Sequence, residues 1–111
     1  EKNIDLCLVT TFHKKVYLDE SNFKKAINIH PSYLPLHKGR DPIYDAIANR
    51  SKFIGVTAFH MTNTLDEGKI IVQEKINLGK FDKKADVLKK MVPIYRKYTK
   101  FIIENFDNLT Y

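Results

Sequence analysis

A short apolar run that stops at a proline sets the tightest limit on how this chain folds. Residues 26–30 read Ala-Ile-Asn-Ile-His and are followed at once by Pro31. Because proline has no N–H to donate to a neighbouring strand, regular pairing is expected to end just after His30. Asn28 and His30 are two positions apart, so an extended backbone directs both side chains to one side. We therefore predict a strand whose end carries two polar groups on the same face.

Three other segments have strand-like patterns. Residues 4–10 are apolar apart from Asp5, as in a strand buried on both faces of a parallel sheet. Residues 69–78 open with apolar side chains and then alternate between apolar and polar ones. Residues 53–61 form a further candidate strand, in which one face would carry Ile54, Val56, Ala58 and His60.

Two helices are expected. Asp41 and Pro42 are typical of a helix start, with Asp41 as the N-cap, and residues 49–51 would end this helix. A second helix should follow Asp82, its predicted N-cap, and Pro93 should kink or divide it. Its apolar side chains recur at helical spacing: Val87, Leu88, Met91, Val92, Tyr95, Tyr98, Phe101, Ile102 and Phe106. Strands and helices in this order predict the α/β class.

Length and composition are those of one small domain. The chain has 111 residues, of which 43% are hydrophobic and 29% charged, as in globular proteins. No apolar run approaches the roughly 20 residues that a transmembrane helix needs. The first ten residues lack the features of a secretion signal. We expect residues 1–111 to form a single domain in the cytoplasm, without membrane contact.

The net charge of +6 comes from lysines scattered as pairs, with no nucleic-acid-binding motif. We expect a solvated surface and no nucleic-acid partner, with attraction of phosphate or polyglutamate groups on ligands as the alternative. Cys7 is the only cysteine and lies in an apolar run. A packed, unreactive thiol is therefore expected, and a disulfide within the chain is excluded.

Asn28, His30 and Asp66 have the chemistry that acyl transfer to an amine requires. An amide aimed at the carbonyl oxygen stabilises its developing negative charge. A histidine, with an ordinary pKa near ~6.5, moves protons between the attacking and leaving nitrogens. Asp66 would return to the same sheet edge after the next strand. Each residue alone also suits a structural role: Asn28 in backbone hydrogen bonds, His30 in packing and Asp66 in a turn.

A metal site is not predicted, although the necessary types of ligand are present. No two histidines have the close spacing of a metal-binding pair. The side chains considered were His13, His30, His37, His60 and Asp66.

The sequence resembles the folate-dependent formyltransferases. Residues 28–35 (Asn-Ile-His-Pro-Ser-Tyr-Leu-Pro), 38–44 (Lys-Gly-Arg-Asp-Pro-Ile-Tyr) and 65–68 (Leu-Asp-Glu-Gly) carry the likeness. It is close over residues 26–74 and loose over the rest. It implies the carboxyl-terminal portion of a Rossmann-like formyltransferase domain, with a mostly parallel sheet flanked by helices.

The resemblance also implies an enzyme that transfers a formyl group from 10-formyltetrahydrofolate to a primary amine, without a metal. Asn28 would bind the formyl oxygen, His30 would assist and shuttle protons, and Asp66 would orient a water and His30. The residues expected at the folate are Phe12, His13, Lys14, Val16, Thr62 and Asn63, with core packing as the alternative for Phe12 and Val16. Those expected at the acceptor are Ser32, Tyr33, Arg40 and Tyr44, with packing as the alternative for the two tyrosines.

Members of this family normally carry three further βα units ahead of the position of Ile4. The resemblance therefore predicts a partial domain, completed by a missing amino-terminal segment or by a second copy in a homodimer. An inactive binding or interaction module with the same fold is the alternative to an active enzyme.

Residues 39–44 bear on the acceptor. They resemble enzymes that formylate amino sugars on nucleotide carriers, and we expect such a small-molecule acceptor. A purine-pathway glycinamide ribonucleotide transformylase is the alternative; it shares residues 30–32 and differs after Gly39. A methionyl-initiator-tRNA enzyme is disfavoured, because it usually has glycine at the position of Pro31 and carries a further domain after the catalytic one.

Overall fold

The computed structural model describes residues 4–10, 23–37, 41–62 and 68–109. The described residues form four strands and two α-helices, and a short 3₁₀ turn at Phe106–Asn108 follows the second helix. In chain order the elements are β1 (Ile4–Val9), β2 (Phe23–His30), α1 (Pro42–Ala48), β3 (Phe53–His60), β4 (Ile70–Asn77) and α2 (Lys84–Asn105).

The sheet has the order β1-β2-β3-β4 and is mixed. β1 and β2 are parallel, whereas β2 with β3 and β3 with β4 are antiparallel. The α/β class and the Rossmann-like domain are confirmed. Fewer strands pair in parallel than expected within the described residues. The reason is that β3, which follows α1 in the chain, runs in the direction opposite to β2.

The register separates the two faces of the sheet. Residues directly opposite each other in an antiparallel pair project to one face. Ile29 faces Ala58, and these two side chains lie in the core with Val87 and Met91 of α2. His60 faces Ile27 and so shares this helix-covered face with Ala58, as the alternation predicted. The opposite face, called the site face below, carries Asn28, His30, Thr57 and Gln73.

β1 is less buried than its apolar sequence predicted. The side chain of Ile4 is 41% exposed, and the rest of the strand is at most partly buried. The expectation of burial on both faces is wrong for this strand. In the described part of the sheet, β1 is an edge strand that pairs with β2 alone, which leaves its outer side uncovered.

α1 begins and ends where the sequence predicted. The Asp41 carboxylate accepts a hydrogen bond from the Tyr44 N–H at 3.2 Å, and Pro42 occupies the first turn. At the other end, the Arg50 N–H donates to the Ile47 carbonyl and the Ser51 N–H donates to the Ala46 carbonyl. These two bonds form a Schellman motif, with Arg50 in the left-handed region at φ 52°.

α2 differs from its prediction at two points. Its N-cap is Lys83 rather than Asp82, because Asp86 accepts the Lys83 N–H at 2.9 Å while Asp82 accepts the Gly79 N–H at 2.7 Å. The helix is also continuous through the exposed Pro93, so it is not divided there, and a kink at this residue stays a prediction. Across the ranges given above, no helix has the length and apolarity needed to span a bilayer.

The end of α2 is tied to the start of β2. The Lys25 ammonium donates to the Phe106 and Leu109 carbonyls, which lie just beyond the helix. Ammonium groups near a helix C-terminus also interact favourably with the helix dipole. This contact joins elements 81 residues apart in sequence.

Candidate active site

Asn28 and His30 lie next to each other on the site face, at the end of β2. Asn28 is paired with Val9 of β1 and Phe59 of β3, and His30 is paired with Thr57. The Asn28 side chain is partly buried, and His30 is only 7% exposed. The predicted strand end with two polar groups on one face is confirmed.

His30 forms a long hydrogen bond to the chain that follows it. Its Nε2 lies 3.4 Å from the carbonyl oxygen of His37. A carbonyl oxygen can only accept, so Nε2 is the donor in this contact. The His37 Nε2 lies 3.3 Å from the Ser51 hydroxyl, which links the loop to the end of α1.

Two side chains of the site face, Thr57 and Gln73, hold the loop that follows His30. The Thr57 hydroxyl donates to the Ser32 carbonyl at 2.7 Å and accepts the Leu34 N–H at 3.1 Å. The Gln73 amide donates to the Leu34 carbonyl and to the Thr57 hydroxyl, at 3.2 and 3.1 Å. Thr57 is fully buried, so these bonds are shielded from water and fix the loop against β3 and β4. The sequence analysis did not single out either residue.

Ser32 has a buried hydroxyl beside His30. The residue is fully buried, and its Oγ has no hydrogen-bond partner among the residues described. A buried hydroxyl without a partner costs about 1–3 kcal/mol. Ser32 therefore retains an unused donor and acceptor next to Pro31, at the position predicted to contact a substrate.

Tyr33 packs against the sheet. Its ring meets that of Phe53 edge to face, with centroids 5.9 Å apart, and the Lys75 ammonium lies 5.2 Å from its centroid. The approach is close because Gly55 lies beneath: a Cβ there would be 2.8 Å from the Tyr33 Cβ. The Tyr33 ring is therefore engaged in packing, which is the alternative given for this residue. Substrate contact by Tyr33 stays a prediction.

Tyr44 and Thr62 are both exposed but lie in different places. Tyr44 is 63% exposed on α1, which packs on the helix-covered face. Thr62 follows Met61, whose N–H donates to the Ala26 carbonyl at 2.8 Å. The chain after β3 therefore starts beside the middle of β2, because the two strands are antiparallel. The expected return to the sheet edge of His30 concerned Asp66, which lies outside the described residues, so it stays a prediction.

The remaining predicted site residues lie outside the described residues. They are Asp66 among the catalytic candidates, Phe12, His13, Lys14, Val16 and Asn63 at the folate, and Arg40 at the acceptor. Their roles stay predictions. Within the described residues, Asn28 and His30 share the site face, and Ser32 and Tyr33 follow them in the loop after β2.

Two cavities adjoin this region without including Asn28 or His30. One, of about 380 Å³, lies between α1 and α2 and reaches Pro31; the other, of about 530 Å³, lies between the end of α1 and the β4–α2 connection. In the described ranges, no group of three or more histidine, cysteine, aspartate or glutamate side chains is arranged to hold a metal ion.

The mixed sheet and the helices on one face define a Rossmann-like α/β domain, with two polar side chains at the end of β2. Residues 6–99 match the family described as Formyl transferase. The chain belongs to this family, as the motifs of residues 28–35 and 65–68 predicted.

Individual relatives carry different names. A methionyl-tRNA formyltransferase from Borreliella burgdorferi is 39% identical over 90 residues, covering 78% of this chain and 28% of that protein. Phosphoribosylglycinamide formyltransferase from Streptococcus pneumoniae superposes with a TM-score of 0.81 and 27% identity, covering 93% of this chain and 59% of its own. WlaRD, a sugar 3N-formyl transferase crystallised in the presence of dTDP and 5-N-formyl-THF, gives a TM-score of 0.78 at 27% identity, covering 93% and 38%.

The chain spans 26–28% of the length of the curated relatives that it matches. Those relatives are methionyl-tRNA formyltransferases, the class that the sequence analysis disfavoured. That expectation rested largely on where the chain ends, which is not a sound basis for excluding the class.

Proposed function

We propose that this chain carries the catalytic strand of an enzyme that transfers a formyl group from 10-formyltetrahydrofolate to a primary amine. The observation behind the proposal is that Asn28 and His30 occupy neighbouring positions on one face at the end of β2, in a chain of the formyl transferase family. Amide and imidazole are the two groups that the reaction needs at its carbonyl.

The roles follow from the chemistry of the groups. The Asn28 amide donates a hydrogen bond to the formyl oxygen as that oxygen gains negative charge. Removal of one such donor raises the activation free energy by about 2.7–4 kcal/mol. His30 accepts a proton from the attacking amine and returns one to the leaving nitrogen. Asp66 orients His30 and a water.

The folate co-substrate supplies the formyl group, and the described residues offer one polar group suited to a ligand. Among the described residues the buried Ser32 Oγ has no hydrogen-bond partner, so a bound molecule that hydrogen-bonds to it removes a desolvation cost. Thr62 lies at the start of the chain that follows β3 and contacts the folate together with Asn63. We propose the residues Phe12, His13, Lys14 and Val16 for the rest of that site.

The acceptor that we propose is an amino sugar linked to a nucleotide. We also propose that the reaction takes place in the cytoplasm. The amino-acid pattern of residues 39–44 supports it, and so does the similarity over 93% of this chain to WlaRD and to a protein from Mycobacterium tuberculosis described as a likely sugar N-formyltransferase. Arg40 and Tyr44 would contact this acceptor. Methionyl-tRNA is a second candidate, favoured by the 39% identity to the Borreliella burgdorferi relative.

The test measures release of tetrahydrofolate by the purified protein from 10-formyltetrahydrofolate. The acceptors to compare are an amino-sugar nucleotide, glycinamide ribonucleotide and methionyl-tRNA. We expect turnover with the amino-sugar nucleotide. His30→Ala should lower its rate by about 10²–10⁴-fold and Asn28→Ala by about 10²–10³-fold. Asn77→Ala, at the exposed end of β4, is the matched control and should leave the rate unchanged.

The acceptor profile separates the candidates. Turnover with methionyl-tRNA alone would replace the proposed acceptor, and full activity of both site variants would refute the roles of Asn28 and His30. The rival function, a binding module that has lost catalysis, predicts a third pattern. Calorimetry would then detect binding of a stable folate analogue, while none of the acceptors would support turnover.

A further inference from the structure

The cavity of about 530 Å³ is lined by cationic side chains from separate segments. Arg50 comes from the turn after α1, Lys52 from the residue before β3, and Lys80 from the connection between β4 and α2. Each of these side chains is exposed. A volume in this range accommodates a small organic ligand.

Arg50 occupies a backbone position that disfavours it. As the residue after the helix cap in a Schellman motif, it has φ 52°, where glycine is the usual residue because a Cβ is sterically disfavoured. Nothing in the packing of α1 requires an arginine here, since the motif is made by backbone bonds. Strained positions of this kind mark functional side chains more often than unstrained ones do.

Two of the cations at the cavity lack an ion pair with any residue that the structure describes. Among the residues that the structure describes, the Arg50 and Lys52 side chains form no ion pair, whereas Lys84 is paired with Asp41 and Lys90 with Asp82. Asp82 also lines the cavity, and its contacts with Lys90 at 2.7 Å and with the Gly79 N–H already compensate its charge. The lining therefore has an excess of positive charge.

An aromatic ring lies at the same cavity. Phe81 is 85% exposed, an unusual state for a phenylalanine, and the Lys80 ammonium lies 5.7 Å from its centroid. An exposed ring offers a face on which a planar base can stack. The cavity thus combines groups for phosphate with a surface for a base.

We propose that this cavity binds a nucleoside diphosphate, with its phosphates against Arg50, Lys52 and Lys80 and its base stacked on Phe81. Three cations from three segments can contact more than a single phosphate. The site contains none of the residues assigned above to formyl transfer. Its Ser51 hydroxyl is 3.3 Å from His37, whose carbonyl contacts His30, so the two sites are adjacent.

Calorimetry with ADP, at low and at moderate salt, tests the site without any enzymatic assay. We expect binding that pyrophosphate displaces and that weakens as salt is added. Arg50→Gly should weaken ADP binding about tenfold, the value of one charge-assisted hydrogen bond. The same variant should unfold at an equal or higher urea concentration than the parent, because glycine suits φ 52°.

Three further measurements identify what is bound. Lys52→Gln should weaken ADP binding, while Lys100→Gln, which removes the same charge from an exposed part of α2, should not. Phe81→Leu should weaken ADP but not pyrophosphate. Equal losses in Lys52→Gln and Lys100→Gln, or unchanged binding in Arg50→Gly, would overturn the site. Triglutamate that binds as tightly as ADP would overturn the nucleotide assignment in favour of a polyanion without a base.

Discussion

At the scale of single residues, Gly55 shows how closely the loop after β2 approaches the sheet. A Cβ at this position would lie 2.5 Å from the Glu74 carbonyl oxygen on β4 and 2.8 Å from the Tyr33 Cβ. The first neighbour is backbone, which cannot rotate away. A side chain at Gly55 would therefore push apart β3 and β4 or lift Tyr33 from its place.

Replacement of Gly55 by alanine should destabilise the protein by about 3 kcal/mol, the upper part of the range for overpacking. Gly79→Ala is the matched control, because a Cβ there meets only the Asp82 side chain, at 3.2 Å. Urea unfolding followed by circular dichroism gives both values. Equal urea midpoints for the two variants would contradict the prediction, because they would show that the sheet accommodates a Cβ at Gly55.

The residues that could be recognised from sequence are those whose identity carries the chemistry. Asn28 and His30 were placed correctly on one face, because a strand alternates and Pro31 stops it. Thr57 and Gln73 were not singled out, since their role depends on contacts with residues 32–34 that only the folded register creates. Ordinary polar residues within a strand give no such signal in a single sequence.

At the scale of elements, α2 buries a tyrosine hydroxyl against the sheet. The Tyr95 hydroxyl donates to the Ile29 carbonyl at 3.3 Å, one residue before His30. Burial raises the pKa of Tyr95 above its ordinary value of 10.0. The folded state therefore keeps this proton at a pH at which the unfolded chain has begun to lose it.

The sign of the pH dependence follows from that difference. The contribution of Tyr95 to stability is fully present below pH 10 and is lost as the pH rises above it, by at most about 1.4 kcal/mol per pH unit for one proton. Chemical unfolding at pH 9 and at pH 11 measures the loss. Tyr95→Phe should be less stable at pH 9, by about 1 kcal/mol for the missing hydrogen bond, and should lose less on going to pH 11. Parallel declines of parent and variant would contradict the prediction.

The ends of helices could be predicted where a local signal is strong. Asp41 and Pro42 gave the start of α1 because capping depends on neighbours in sequence. The start of α2 was displaced by one residue, because Asp82 bonds to Gly79 and Lys90 instead of capping the helix. The continuity of α2 at Pro93 could not be predicted, since it depends on which side of the helix faces solvent.

At the scale of the whole molecule, Lys25 connects the sheet to the last part of the chain that is described. Its ammonium donates to the carbonyls of Phe106 and Leu109, and the residue itself is partly buried. These carbonyls lie past the last helical turn and have few other donors available. The contact therefore restrains the carboxyl-terminal end of α2.

Replacement of Lys25 by methionine should lower the free energy of unfolding by about 1–3 kcal/mol, the value for hydrogen bonds to a charged group. It should also speed amide hydrogen exchange in residues 105–109 more than in β3. Lys25→Arg keeps the charge and the donors and should lose less. Unchanged exchange at residues 105–109 in the methionine variant would show that the end of α2 is held by other contacts.

The order of strands is the part of the fold that local patterns left undecided. Apolar runs identified four strands, but they carried no information on direction, so the mixed pairing was missed. That direction matters for the site, because it determines that the chain after His60 leaves beside Ala26. The family resemblance indicated which residues act together with Asn28 and His30. The register of the strands placed the Asn28 and His30 side chains on one face of the sheet.

The loop that follows His30 is divided into two unlike halves. Ser32 and Leu34 are buried and held by Thr57, whereas Pro35 and Leu36 lie on the outside, where Leu36 is 47% exposed. Residues in the outer half of the loop can therefore be substituted during evolution without displacing His30. In the enzyme proposed above, substitution of Pro35 and Leu36 would change the outer surface of the loop and leave the buried contacts with Thr57 in place.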